Sequence, residues 1–139
     1  MSVIDVDSHV YEPEAVWGDY LPAEVRERAR RSFSRLDGAV VLNGAAVAPA
    51  GGSRLNRQTV WRPGFTPESI GRLDPSAPPE PNAGAWDPET RLADMDALGI
   101  GQAVVLPTLF GEYLPAVADP EMAVALARAY NDWAVDFAA

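Results

Sequence analysis

The sequence predicts an α/β fold, a parallel sheet covered by helices, with residues 1–139 forming one domain. Three observations support this fold class: an alternating segment near the N-terminus, a continuous apolar run after Gln102, and an amphipathic pattern after each Asp-Pro-Glu triplet. Together they give the order strand, long excursion, helix, strand, helix, which is typical of parallel sheets. The chain has 139 residues and is 47% apolar, which is sufficient for a packed core.

The first strand is predicted from Val3 to Val10, where side chains alternate between two faces. One face carries Asp5, Asp7 and His9. Polar groups of this kind are costly in a dry core unless they are paired or bind a metal ion. The alternation therefore directs attention to this face as a candidate site.

The segment after the first strand contains short elements and then a long insertion. Glu12-Pro13-Glu14 is predicted to open a helical turn, and Leu21-Pro22 to start a second short helix that ends at about Arg31. Asn43-Gly44 between two apolar runs predicts a hairpin over Ala39–Val47. Residues 48–85 are rich in Pro, Gly, Asn and Ser, which predicts an irregular insertion.

Regular structure is predicted again from Trp86 onward. Asp87-Pro88-Glu89 is a helix start, and Gly99 is a suitable residue to end that helix. The run from Gln102 to Leu106 predicts a buried parallel strand. Asp119-Pro120-Glu121 starts the last helix, and its apolar face is predicted to consist of Met122, Leu126, Tyr130, Trp133 and Phe137.

The composition excludes several classes of function. The formal net charge is −9, and all eleven basic residues are Arg, so nucleic acid and anionic membranes are not expected partners. Cysteine is absent, which excludes disulfides and thiolate metal sites. The N-terminal residues have no signal-peptide pattern and no apolar run spans a membrane, so we expect a cytoplasmic protein.

Asp7 and His9 are the candidate metal ligands. They lie two residues apart on a predicted strand and so point to the same side. Carboxylate and neutral imidazole are both good ligands for zinc and similar divalent ions. The alternative is a hydrogen-bonded Asp–His pair or two exposed polar residues on an edge strand, and on spacing alone that alternative is favoured.

Several segments resemble the amidohydrolase-related family, which includes aminocarboxymuconate-semialdehyde decarboxylase. The first is Ile4-Asp5-Val6-Asp7-Ser8-His9 with Glu12-Pro13, where the family carries a ligand pair of the form H-x-H or carboxylate-x-His. The others, in chain order, are Trp17, Leu21-Pro22, Trp86-Asp87-Pro88-Glu89-Thr90-Arg91-Leu92-Ala93-Asp94-Met95-Asp96, Gly99-Ile100, Ala103-Val104-Val105-Leu106-Pro107-Thr108 and Ala129-Tyr130-Asn131-Asp132-Trp133. The resemblance implies a (β/α)₈ TIM barrel with Asp7 and His9 as ligands of a divalent metal.

The same resemblance implies an activity. The metal would be zinc, with manganese as the alternative, and the reaction would be hydrolysis or non-oxidative decarboxylation of a small carboxylic acid. Thr108 follows the second predicted strand at the mouth where barrel enzymes bind substrate, and Tyr113 lies in the predicted loop after it. Both are therefore candidate substrate contacts; the alternatives are a turn residue and a surface-packing residue.

This chain also departs from the family pattern. His9 is its only histidine, so the family's later ligands and catalytic histidine have no candidates. A complete barrel needs ~250 residues, so we expect a partial barrel with the first two βα units and the insertion after the first strand. The expected partner is a second polypeptide that supplies the remaining strands in a hetero-oligomer; a fragment of a longer protein and a non-catalytic remnant are the alternatives. The alternative from a different class of function is a non-catalytic structural or binding subunit that completes a partner's barrel.

Overall fold

The computed structural model describes residues 3–36, 39–47 and 83–139. All but the last three residues of the predicted insertion 48–85 therefore lie outside the described residues. The chain forms two compact units, and each is described separately. The first unit comprises residues 1–8 and 50–105, and the second comprises residues 9–49 and 106–139.

The described residues form five strands and five α-helices. The strands are β1 (Val3–His9), β2 (Phe33–Leu36), β3 (Ala39–Leu42), β4 (Ala45–Val47) and β5 (Ile100–Leu106). The helices are α1 (Glu14–Asp19), α2 (Arg26–Ser32), α3 (Pro88–Leu98), α4 (Leu109–Tyr113) and α5 (Pro120–Ala138), with single 3₁₀ turns at Ala83–Ala85 and Leu114–Ala116. A small parallel sheet and an antiparallel sheet make this a mixed α/β structure.

In the first unit, β1 and β5 pair as a two-stranded parallel sheet, as the sequence predicts. Helix α3 begins at the predicted residue because the Asp87 carboxylate accepts a hydrogen bond from the Thr90 N–H (2.8 Å). It ends at Gly99, whose φ of 71° is a left-handed conformation that glycine adopts without strain. Local capping chemistry therefore determines both ends of this helix.

The prediction that the second parallel strand is buried is wrong for the described structure. No residue of β5 is buried, and Val104 is 49% exposed. On β1, Ile4 and Val6 are 58% and 69% exposed. The described part of the first unit, a two-stranded sheet and one α-helix, supplies too little apolar surface to cover the strands on both faces.

The second unit contains an antiparallel sheet with strand order β2-β3-β4. The predicted hairpin is confirmed, since Asn43 and Gly44 form its turn with φ values of 52° and 82°. The sequence reading missed β2, which pairs with β3 from Phe33 opposite Leu42. It also placed the start of the second helix too early, because α2 begins at Arg26.

An aromatic cluster forms the core of the second unit. Trp17, Phe33 and Phe110 contact one another with ring centroids 5.1 to 5.4 Å apart. Tyr130 continues the cluster from Phe110 at 5.3 Å. The predicted apolar face of α5 is confirmed, since it is buried in full: Met122, Leu126, Tyr130, Trp133 and Phe137.

Candidate functional site

His9 is the last residue of β1 and belongs to the second unit, where a backbone carbonyl group orients its ring. Its Nδ1 lies 2.9 Å from the Pro107 carbonyl oxygen. A carbonyl only accepts hydrogen bonds, so Nδ1 carries the proton in this contact. In the neutral ring the lone pair is then on Nε2, which is the usual arrangement for a histidine that binds a metal ion through Nε2.

Glu12 is a buried carboxylate near the same turn, and the sequence reading did not identify it as a site residue. Its side chain is 1% exposed. Its Oε1 accepts hydrogen bonds from the backbone N–H of Thr108 (2.7 Å) and of Phe110 (3.3 Å). These contacts satisfy two of the backbone donors that α4 would otherwise leave at its N-terminus.

Thr108, a predicted substrate contact, lies at the N-cap of α4. Its hydroxyl donates to the Val10 carbonyl oxygen (2.6 Å). The structure therefore gives Thr108 a structural hydrogen bond, and the hydroxyl oxygen still has lone pairs that can accept. Its contact with substrate stays a prediction.

Tyr113, the other predicted substrate contact, is the last residue of α4. The prediction that it lies in a loop is wrong, because residues 109–113 are helical. Its half-buried ring lies 6.3 Å from that of Phe33, at the edge of the aromatic cluster. Its contact with substrate stays a prediction as well.

The pKa of the Tyr130 phenol is affected by burial and by the charge of Glu12. Burial, and then the negative charge of Glu12, raise the pKa of the Tyr130 phenol from 10.0 to about 12. Both effects disfavour the phenolate: the first removes water and the second is a like charge. The negative charge of Glu12 therefore contributes to keeping the Tyr130 phenol neutral.

Asp7 belongs to the first unit and is exposed. Its backbone N–H donates to the Asp5 carboxylate (3.0 Å). Arg91 lies nearby in the same unit, donating to the Ser8 hydroxyl (2.7 Å) and to the Gly84 carbonyl oxygen (2.8 Å). Burial lowers the pKa of Arg91, while the charge of Asp5 raises it in part.

The chemistry of Asp7 and His9 fits a divalent ion only in part. Carboxylate and Nε2 of imidazole are suitable ligands. Across residues 3–36, 39–47 and 83–139, however, the structure contains no group of three or more His, Asp or Glu side chains that could together hold a metal.

A groove elsewhere in the second unit is a poorer candidate. It is lined by Arg28, Arg31, Asn43 and Asp119, among others. Arg28 already forms ion pairs with Asp119 (2.6 Å) and Glu121 (2.7 Å), so its charge is neutralised by the protein itself. The groove lacks the histidine on which the metal hypothesis depends.

Fold and site together place the chain in the α/β class, with a histidine at the end of a parallel strand. No family model matches the chain, and no curated protein matches it. Among solved structures, it is similar to an amidohydrolase from Mycobacterium avium subsp. paratuberculosis K-10, with a TM-score of 0.59 and 23% sequence identity. The match covers 95% of this chain, and at this identity it shows a likeness of fold alone.

The chain spans 37% of the length of that amidohydrolase. The similarity therefore concerns the fold of one part of the neighbouring protein. No helix within the described residues is long and apolar enough to span a membrane.

Proposed function

We propose that this chain forms part of a metal-dependent enzyme of the amidohydrolase type, which hydrolyses or decarboxylates a small carboxylic acid. In this proposal Asp7 and His9 bind a divalent ion, zinc or alternatively manganese. Residues outside the described ranges complete the ligand set, contributed by the remaining strands of the barrel. A separate polypeptide that supplies those strands is the proposed partner.

The observation that carries the proposal is the hydrogen bond from His9 Nδ1 to the Pro107 carbonyl oxygen (2.9 Å). It fixes the ring in the tautomer that leaves the lone pair on Nε2. Backbone carbonyls and carboxylates serve this purpose for many metal-bound histidines.

The exposed apolar residues of the first unit support the proposed barrel. Val3 and Ile4 point to opposite faces of β1, and they are 55% and 58% exposed. Strands of parallel sheets are normally covered on both faces. We therefore infer that β1 and β5 are the first two strands of a larger sheet, and that α3 and α5 are the helices of the first two βα units.

The residues of this chain would divide the work at such a site. A divalent ion held there would supply Lewis-acid catalysis, which serves hydrolysis as well as loss of carbon dioxide. His9 and Asp7 would bind that ion, while Thr108 and Tyr113 would contact the substrate. The carboxylate-x-His form of the ligand pair favours decarboxylation over hydrolysis, by analogy with the family.

Metal content tests the proposal. In the full protein, Asp7→Ala and His9→Ala should each lose bound zinc and activity, because each removes one ligand. Asp96→Ala is the matched control, since Asp96 is an exposed aspartate of the same unit as Asp7. Zinc measured by elemental analysis should remain in the control, and full occupancy in both ligand variants would contradict the proposal.

A structural or binding subunit is the second candidate function. It is favoured by the exposed apolar strand residues, which fit a partner's surface, and by the absence of three clustered ligands within the described residues. The same metal analysis separates the two functions. A well-folded protein complex without stoichiometric metal would support the binding subunit.

A further inference from the structure

Glu12 and the candidate ligand His9 both belong to the second unit, and Glu12 is buried there. We infer that Glu12 is a positioning residue: its carboxylate holds the turn after β5, so that the Pro107 carbonyl oxygen sets the tautomer of His9. The link from Glu12 to metal binding rests on the proposed function, whereas the effect of Glu12 on the tautomer of His9 is independent of that function.

The first step is the contact between Glu12 and the turn. Glu12 Oε1 lies 2.7 Å from the Thr108 nitrogen and 3.3 Å from the Phe110 nitrogen. Hydrogen bonds from backbone N–H groups to a carboxylate are charge-assisted and stronger than neutral ones. One side chain therefore fixes the start of α4 at two positions.

The second step is the connection of the same turn to the segment after β1. The Thr108 hydroxyl donates to the Val10 carbonyl oxygen (2.6 Å), and the Val10 N–H donates to the Leu106 carbonyl oxygen (3.1 Å). Pro107 is thus held on both sides, by Leu106 and by Thr108. The direction of its carbonyl group follows from these contacts.

The third step concerns burial. Glu12 is 1% exposed, and its charge is close enough to Tyr130 to raise the pKa of that phenol. Burying a carboxylate is costly, and the charge must be compensated by hydrogen bonds. A helix start alone could be capped by an exposed Ser, Thr or Asp, so the buried position indicates that the exact path of the turn matters.

The consequence reaches His9. With the Pro107 carbonyl in place, the neutral ring is protonated on Nδ1 and presents Nε2 as its basic nitrogen. When the turn shifts, this hydrogen bond is lost, and it no longer favours the tautomer protonated on Nδ1. Glu12 therefore acts on His9 through backbone groups, without touching it.

The experiment uses the full protein with the ¹⁵N label in this chain alone; His9 is the only histidine of the chain, so a single imidazole gives the ¹⁵N signals. Long-range ¹H–¹⁵N spectra of the metal-free protein, at a pH where the ring is neutral, show which nitrogen carries the proton. Wild type should show Nδ1–H. This measurement needs no variant, and a dominant Nε2–H form in wild type would overturn the inference.

Two substitutions separate the position of the acceptor from its charge. Glu12→Gln keeps an oxygen acceptor at the same reach, and Glu12→Asp keeps the charge but shortens the side chain. We expect Glu12→Gln to retain Nδ1–H and Glu12→Asp to lose it. The reverse order, or no change in Glu12→Asp, would contradict a positioning role. Glu112→Gln, at an exposed position of α4, is the control for loss of a carboxylate.

Zinc titration of the same proteins tests the link to function. Removing a residue that orients a metal-bound histidine weakens metal affinity about 10- to 100-fold. We expect that loss in Glu12→Asp and a smaller one in Glu12→Gln. If wild type binds no zinc, the proposed function fails, and the tautomer spectra still decide the role of Glu12. If wild type binds zinc and the tautomer of His9 is the same in wild type and in both Glu12 variants, only the positioning role of Glu12 is contradicted.

Discussion

At the scale of single residues, the structure shows properties of Glu12 and Tyr130 that the sequence does not predict. Both side chains are buried in the second unit, and Tyr130 is part of its aromatic cluster. Burial first, and the Glu12 charge second, raise the pKa of Tyr130 to about 12. This shift couples the stability of the fold to alkaline pH.

We predict that the free energy of unfolding falls between pH 10 and about 12 in wild type and falls less in Tyr130→Phe. The folded protein holds the Tyr130 proton more tightly than the unfolded chain, so the stabilisation is complete below the ordinary tyrosine pKa. It is lost as the pH rises through the folded-state pKa. Urea unfolding at a series of pH values measures it, and parallel curves for the two proteins would contradict the prediction.

The site residues show what the sequence can and cannot predict at this scale. Asp7 and His9 were identifiable because two ligand types alternate along one strand and resemble a family motif. For Glu12, the sequence predicts only a place at the start of a helical turn, because Glu12-Pro13-Glu14 fits that pattern. Its partners Thr108 and Phe110 lie 96 and 98 residues away, and no local pattern indicates a contact over that separation.

At the scale of elements, local chemistry made some structures predictable. The starts of α3 and α5 follow from Asp87 and Asp119, whose carboxylates accept backbone hydrogen bonds from the first turn. The hairpin follows from Asn43-Gly44. By contrast, β2 exists through pairing with β3, and α4 through capping by Glu12, so both depend on tertiary contacts that the sequence does not display.

The hairpin turn supports a prediction about glycine. Gly44 has a φ of 82°, which costs a residue with a Cβ about 1 to 2 kcal/mol, so Gly44→Ala should destabilise the second unit by that amount. Gly18→Ala is the matched control, because Gly18 lies in helix α1 and an added Cβ meets nothing within 4 Å. There alanine should stabilise by about 0.5 to 1 kcal/mol.

Urea unfolding of both glycine variants measures these changes. Opposite signs in the two variants support the positive φ as the cause. Equal effects would show that the hairpin turn tolerates a side chain, and the assigned turn conformation would then be wrong.

At the scale of the whole molecule, the two units differ in how well they bury apolar surface. The second unit encloses its aromatic cluster, and α5 buries its entire predicted face. The first unit leaves Val3, Ile4 and Val6 of β1 more than half exposed. The apolar run predicts the strand β5 correctly, but the prediction that this strand is buried is wrong. A continuous apolar run indicates that a strand can be buried, and it does not indicate which elements cover that strand.

The proposed metal site leads to a prediction for the stability of the whole protein. A ligand that binds only the folded state stabilises it by about 2.7 kcal/mol at a concentration 100 times its Kd. Thermal melts of the full protein should therefore shift upward with added zinc, and the double variant Asp7→Ala/His9→Ala should not respond. Asp96→Ala should respond as wild type does, since its carboxylate is exposed on α3. An equal shift of the melting temperature in wild type and in the double variant would mean that zinc binds elsewhere, and it would contradict a metal site at the end of β1.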